Sequence, residues 1–327
     1  MPPGRHIPFQ GVEQLQMVMA AAGLPLQLTQ LAGGQLRGDL LALAVGPLLL
    51  RRVRLDRPLH VRGAKDPQRQ LICLDLNPPG QTGPRRSHGQ PLAATAVCGL
   101  AAEGDVHLSL PAGACVGLLM IDRQAFERWC LQLGCEGLDQ QALERNWLIL
   151  EPRRFENLRR ALVRLFAMGG GPTAELARLA IDDLMPLLLE ALVHAGDRAG
   201  SLLRPPARIE VVKTAQRWME LHPHQPLSLN DLCRTVHVSR RSLIQGFRDH
   251  LGMGPMTYHR LQRLHAVRHA LLQSDPRAAT VIDVASRHGF LNHGHFAGAY
   301  RRLFDEAPSA TLQQAPGQSG GWCPPPP

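Results

Sequence analysis

Residues 227–258, "LSLNDLCRTVHVSRRSLIQGFRDHLGMGPMTY", can be laid over residues 279–311, "ATVIDVASRHGFLNHGHFAGAYRRLFDEAPSAT", with one extra residue in the turn of the second copy. The alignment pairs Leu229 with Val281, Asp231 with Asp283, Leu232 with Val284, Leu243 with Phe296, Phe247 with Tyr300, Arg248 with Arg301 and Pro255 with Pro308. A duplicated pattern limits the fold more than composition does, because both copies must satisfy the same local geometry.

Each copy opens on a hydroxyl followed three residues later by a carboxylate, Ser228 with Asp231 and Thr280 with Asp283. That spacing predicts a helix start: the hydroxyl accepts from an early backbone N–H and the carboxylate faces the positive end of the dipole. A tight turn follows, at Val236 to Ser239 and at "HGFLN". Apolar residues then recur four apart, as Leu243, Phe247 and Leu251 and as Phe296, Tyr300 and Phe304. This predicts a longer helix with one buried face. Short helix, turn and longer helix is the helix-turn-helix plan, whose second helix can enter the major groove. "PMTYHRLQRLHAVRHALLQS" reads as a helix bridging the two units.

Charge agrees with this plan. The net charge is +9, and residues 201–315 hold 15 Arg and Lys against 8 acids, leaving only +2 for the rest. A basic segment attracts phosphate backbones, although solvated helices show the same footprint.

With these residues in view, positions 208–313 resemble the DNA-binding domain of AraC/XylS-type transcriptional regulators. The matching motifs are "SLNDLCRTVHVSRRSLIQGFRDHLGMGP", the bridge "RLHAVRHALL" and "VIDVASRHGFLNHGHFAGAYRRLFDEAPSA", about a third of the chain. The family commonly has Gly where this chain has Asp305, a residue that tolerates the left-handed conformation better than most. The resemblance implies a sequence-specific DNA-binding regulator rather than an enzyme, without a cofactor. Its expected partner is double-stranded promoter DNA, with RNA polymerase, a small-molecule effector and a second copy of the chain as further partners.

If Leu243 and Phe247 face inward, Arg241 and Gln245 face outward. Arg reads guanine and Gln reads adenine through paired hydrogen bonds. Ser239, Arg240 and Arg248 are placed for phosphates. In the second copy the positions equivalent to Arg241 and Gln245 are Gly294 and Gly298, which offer no side chain. His293 is then the base-reading candidate there, Asn292, Arg301 and Arg302 hold the backbone, Asn292 also caps the helix, and His295 is expected beside the core or the backbone.

A metal-dependent enzyme using the C-terminal histidines is one alternative, and a protein-interaction module without DNA binding is another. His293 and His295 are two apart and point to nearly opposite sides of a helix. His265 and His269 have ligand spacing, but alanine follows His265 where a catalytic zinc helix carries glutamate, so both read as polar-face residues and no metal is expected.

From Leu24 to Ile121 short apolar or alternating runs such as "DLLALAVG", "PLLLRRVRL" and "RQLICLDL" are broken by Gly, Pro and Asn. This predicts an antiparallel sandwich or barrel. After Asp122 "RQAFERWCLQL", "RRFENLRRALVRLF" and "TAELARLAIDDLMPLLLEALV" change to helical periodicity. The expected fold class is α+β: an N-terminal antiparallel β barrel with following helices, cupin-like by the resemblance, and a C-terminal all-α domain of two helix-turn-helix units joined by a bridging helix. The expected divisions are an effector and dimerisation domain at 1–195, a linker at 196–207, the DNA-binding domain at 208–313 and a disordered tail at 314–327. Apolar residues around Leu184 to Leu192 exceed what one small barrel covers and predict a dimer. His60 and His107 look isolated, which argues against a metal-binding barrel. Seven cysteines without a C-x-x-C pair suggest no disulfide framework; Cys73, Cys98, Cys115 and Cys233 read as buried. No run has the length of a membrane span and the N-terminus has no signal-peptide layout, so no membrane partner and a cytoplasmic location are expected.

Overall fold

The computed structural model describes residues 4–101, 104–135, 138, 146–168, 173–196, 207–222 and 227–314. The linker and the tail expected from the sequence fall almost wholly outside them. By contact density the chain divides into two units, one of residues 1–10, 14–27 and 37–203 and one of residues 11–13, 28–36 and 204–327.

The first unit is rich in sheet. Its strands are β1 (Arg5–Gln10), β2 (Gln27–Gln30), β3 (Arg37–Val45), β4 (Leu48–Leu55), β5 (Leu59–Ala64), β6 (Arg69–Asp75), β7 (Arg86–Ser87), β8 (Gln90–Pro91), β9 (Ala96–Cys98), β10 (Asp105–Leu110), β11 (Cys115–Asp122) and β12 (Trp147–Ile149). Seven form one sheet in the order β1-β3-β4-β11-β6-β9-β12 and five form another in the order β2-β5-β10-β7-β8. Among the described residues no ladder joins the two, so they are separate sheets, and the barrel, one of the two forms the strand pattern suggested, is not closed. β1 and β5 lie outside the expected runs. Pairing decides their state more than local preference does.

Alternation along the seven-stranded sheet sets its faces. Leu41, Leu43, Leu48, Leu50, Ile72, Leu74 and Leu119 enter one cluster with Phe155, Leu158 and Leu162 of the helix Pro152–Ala167. The helix Met185–Gly196 adds Leu188, Leu189 and Leu192 to it. A π-helical stretch, Leu179–Leu184, leads into that helix. Leu184, Leu188 and Leu192, on which the expectation of a dimer rested, are wholly buried inside the chain. Covering one sheet with helices uses more leucine than a small barrel alone would.

On β4 the same face continues past Leu50 to Arg52 and Arg54, which stand opposite Leu41 and Asp39 on β3 and Gly117 and Cys115 on β11. The apolar face thus ends in arginine. His60 and His107 also need correction, because they are not isolated. Antiparallel pairing of β5 with β10 sets His60 opposite Ser109. The His60 and His107 rings meet edge to face at 4.5 Å, and His88 lies 5.9 Å from His107. Cys73 and Cys98 are buried cross-strand neighbours, whereas Cys233 is half-buried. Among the described residues no helix is long and apolar enough to cross a membrane.

Candidate nucleic-acid interface

The two sequence repeats fold as two helical units with separate cores. In the first, the helices Leu229–Thr235 and Arg240–Leu251 pack Leu232, Leu243, Phe247 and Leu251 against Ile209, Val212 and Met219 of the helix Ala207–Leu221. In the second, the helices Val281–Arg287 and His293–Phe304 bury Val284, Phe290, Phe296, Tyr300 and Phe304 against Leu264, Val267 and Leu271 of the bridging helix Pro255–Gln273. Leu243, Phe247 and Leu251 in the first, and Phe296, Tyr300 and Phe304 in the second, are the positions that the four-residue spacing singles out.

Local chemistry explains where each helix begins. The Ser228 hydroxyl accepts from the Asp231 N–H at 3.2 Å while the Asp231 carboxylate accepts from the Ser228 N–H at 3.1 Å. The Ser228 hydroxyl also donates to that carboxylate at 2.5 Å, and this bond first, then Arg234 and the Ser228 N–H, hold the Asp231 carboxyl below its usual range. Thr280 caps its helix through the Asp283 N–H at 3.1 Å. The longer helices are capped by Ser239, which accepts from the Ser242 N–H, and by Asn292, which accepts from the His295 N–H.

The turns use the left-handed conformation at equivalent places. His237 (φ 52°) and Gly289 (φ 73°) sit in the turns, and Gly252 (φ 72°) and Asp305 (φ 56°) end the longer helices. Each copy therefore has one glycine and one costlier residue. At Gly289 a Cβ would collide with the Arg263 guanidinium. Arg263 donates to the His288 carbonyl at 2.6 Å and stacks over Phe290 at 4.5 Å, bracing the second turn from the bridging helix. Its role was not evident in the sequence, because it faces a turn 25 residues away.

On the helix Arg240–Leu251, Ser239, Arg240, Arg241, Gln245 and Arg248 are all exposed. Arg240 donates to Asn230 at 2.6 Å, and the Gln245 amide donates to the Asp249 carboxylate at 2.7 Å. In the second unit Asn292, Arg301 and Arg302 are exposed. A Cβ at Gly294 or Gly298 would approach nothing nearer than Asn292 at 3.8 Å or Arg302 at 3.7 Å, so this face is open. His293 is half-buried, its Nε2 3.1 Å from the Ser286 hydroxyl. His295 is exposed rather than set beside the core, and it rims a cleft of about 340 Å³ with Met256 and Arg260.

The bridging helix carries groups that the sequence reading passed over. His265 is half-buried with its ring edge-on to Phe304 at 5.1 Å, not on a polar face, whereas His269 is exposed. Arg268 is buried and pairs with Glu306 at 3.2 Å. His259 is buried, and that burial, with the Arg263 charge, lowers its pKa to about 4. Among the described residues no group of three His, Cys, Asp or Glu side chains could hold a metal ion.

Residues 232–314 match a family described as a helix-turn-helix domain. The "Probable thc operon regulatory protein" of Rhodococcus erythropolis is 40% identical over 134 residues, which are 41% of this chain and 40% of that protein. The "XylDLEGF operon transcriptional activator 2" of Pseudomonas putida is 35% identical over 125 residues, 38% of this chain and 77% of that protein. Among solved structures, the AraC-like transcriptional activator CuxR aligns with a TM-score of 0.41 at 15% identity, over 86% of this chain and all of that one.

Proposed function

The chain belongs to the AraC/XylS family of transcriptional regulators, and we propose that residues 208–313 bind promoter DNA with the two longer helices in successive major grooves, sequence being read mainly by the first. The observation that carries this reading is the asymmetry of the two exposed faces. The helix Arg240–Leu251 offers Arg241 and Gln245 to base edges, whereas the helix His293–Phe304 offers Gly294 and Gly298. Ser239, Arg240 and Arg248 in the first unit, and Asn292, Arg301 and Arg302 in the second, face the phosphates. His293 supplies the base contact of the second helix once its bond to Ser286 opens. The sheet-rich unit is the effector domain, of cupin-like descent.

Helices in successive major grooves lie about 10 base pairs apart. Binding-site selection on the wild type, Arg241→Ala and Arg301→Ala at two salt concentrations tests the assignment. Arg241→Ala costs about 1 to 3 kcal/mol and relaxes discrimination at one or two base pairs. Arg301→Ala weakens all sequences alike and lowers the slope of log affinity against log salt by about one unit. Strong preferences lying under the second helix, or a motif unchanged by Arg241→Ala, would show that the reading helix has been misassigned.

A further inference from the structure

The face that the seven-stranded sheet presents to the helix Pro152–Ala167 ends in a cleft of about 650 Å³, within the size range of small-molecule sites. Four guanidinium groups line it, from Arg37, Arg52, Arg54 and Arg159, against the single carboxylate of Asp56. Arg37, Arg52 and Arg159 already have partners. Arg52 binds Asp39 at 2.7 Å and Arg159 binds Glu156 at 2.7 and 2.8 Å. The Arg52 Nε is nevertheless buried without a hydrogen-bond partner. Arg54 is exposed beside the Cys115 thiol, and among the described residues no ion pair joins its guanidinium to a carboxylate. The remaining wall is apolar. Leu76 and Phe166 are buried there, while Val163 is 43% exposed on the helix surface turned to the cleft.

The geometry points to a binding site for a small amphipathic carboxylate, its head held by the exposed Arg54 guanidinium and its apolar body laid along Val163, Leu76 and Phe166. A planar guanidinium matches a carboxylate through paired hydrogen bonds. Asp39, Asp56 and Glu156 offset most of the arginine charge nearby, which favours one negative charge over a polyphosphate. The site lies on the helix-facing side of the sheet, away from the His60 and His107 pair on β5 and β10. Naming the ligand an effector rests on the regulator reading above; binding itself does not, and it is measured without DNA so that either statement can fail alone.

The experiment is calorimetric titration of the full chain, at constant ionic strength, with sodium octanoate, sodium acetate, octan-1-ol and octylammonium chloride. Octanoate is expected to bind with one-to-one stoichiometry, and the other three at least tenfold more weakly. Arg54→Glu should weaken octanoate at least tenfold and make octylammonium the better ligand, an inversion that a merely structural arginine would not produce. Val163→Asp should also weaken octanoate at least tenfold, and it does so without altering an arginine. Arg164→Ala, exposed on the same helix outside the cleft, should leave octanoate binding unchanged. The assignment is overturned if octanoate does not bind, if octan-1-ol or acetate binds as well, or if octanoate is indifferent to both Arg54→Glu and Val163→Asp.

Discussion

Replacing Gly298 with alanine should move stability and DNA affinity in opposite directions. Gly298 lies inside the helix His293–Phe304, and a Cβ built there meets only the end of the Arg302 side chain, at 3.7 Å. Alanine therefore adds no strain, and it recovers about 0.8 to 1 kcal/mol of helix propensity. In a unit of about 100 residues that raises the melting temperature by about 4 to 8 °C. On DNA the same methyl occupies the space through which the helix approaches the groove. An added methyl in a close contact costs about 1 to 3 kcal/mol, so affinity should fall by about five- to hundredfold. No charge changes, and the slope of log affinity against log salt stays the same. Calorimetric melting of the full chain and anisotropy titrations with a selected duplex at two salt concentrations measure both effects. A lower melting temperature would refute the open helix face, and a raised melting temperature with unchanged affinity would refute close approach of DNA.

Acid should weaken the C-terminal unit through His259. Its folded pKa is about 4 against an unfolded value near 6.5, so the unfolded chain takes up the proton first. The contribution is intact above pH 6.5 and is lost as the pH falls towards 4, by about 2 kcal/mol between pH 7 and 5. Urea unfolding of the wild type and His259→Leu should show this difference in pH dependence; parallel curves would rule the histidine out. The two left-handed glycines of the helical unit should differ as well. Gly252→Ala meets nothing within 4 Å and costs about 1 to 2 kcal/mol for its left-handed backbone, whereas Gly289→Ala also displaces Arg263 and should cost more in the same assay. Equal losses would mean that Arg263 does not brace the turn.

The helical unit was largely legible in the sequence because its rules act over three or four residues. Ser228 and Asp231, the Leu243, Phe247 and Leu251 stripe, and the Asn292 cap are each decided by neighbours within one or two helical turns. Duplication then supplied the second unit from the first. The same local logic allowed Asp305 to end its helix at φ 56° where a glycine is common.

What the sequence left open concerns groups far apart along the chain. His60 and His107 come together only when β5 and β10 pair, since a one-residue slip in register would send every side chain to the other face. Arg52 and Arg54 read as polar residues of a strand until the helix Pro152–Ala167 brings Arg159 and Val163 to the same cleft. Leu184 to Leu192 looked like a surface for a second subunit, because apolar surplus records only that something must cover those residues. Composition and spacing determined the two helix-turn-helix units and their basic face. The packing of strands and helices decided where the arginines of the first unit converge, because register and docking depend on contacts that no short window of residues contains.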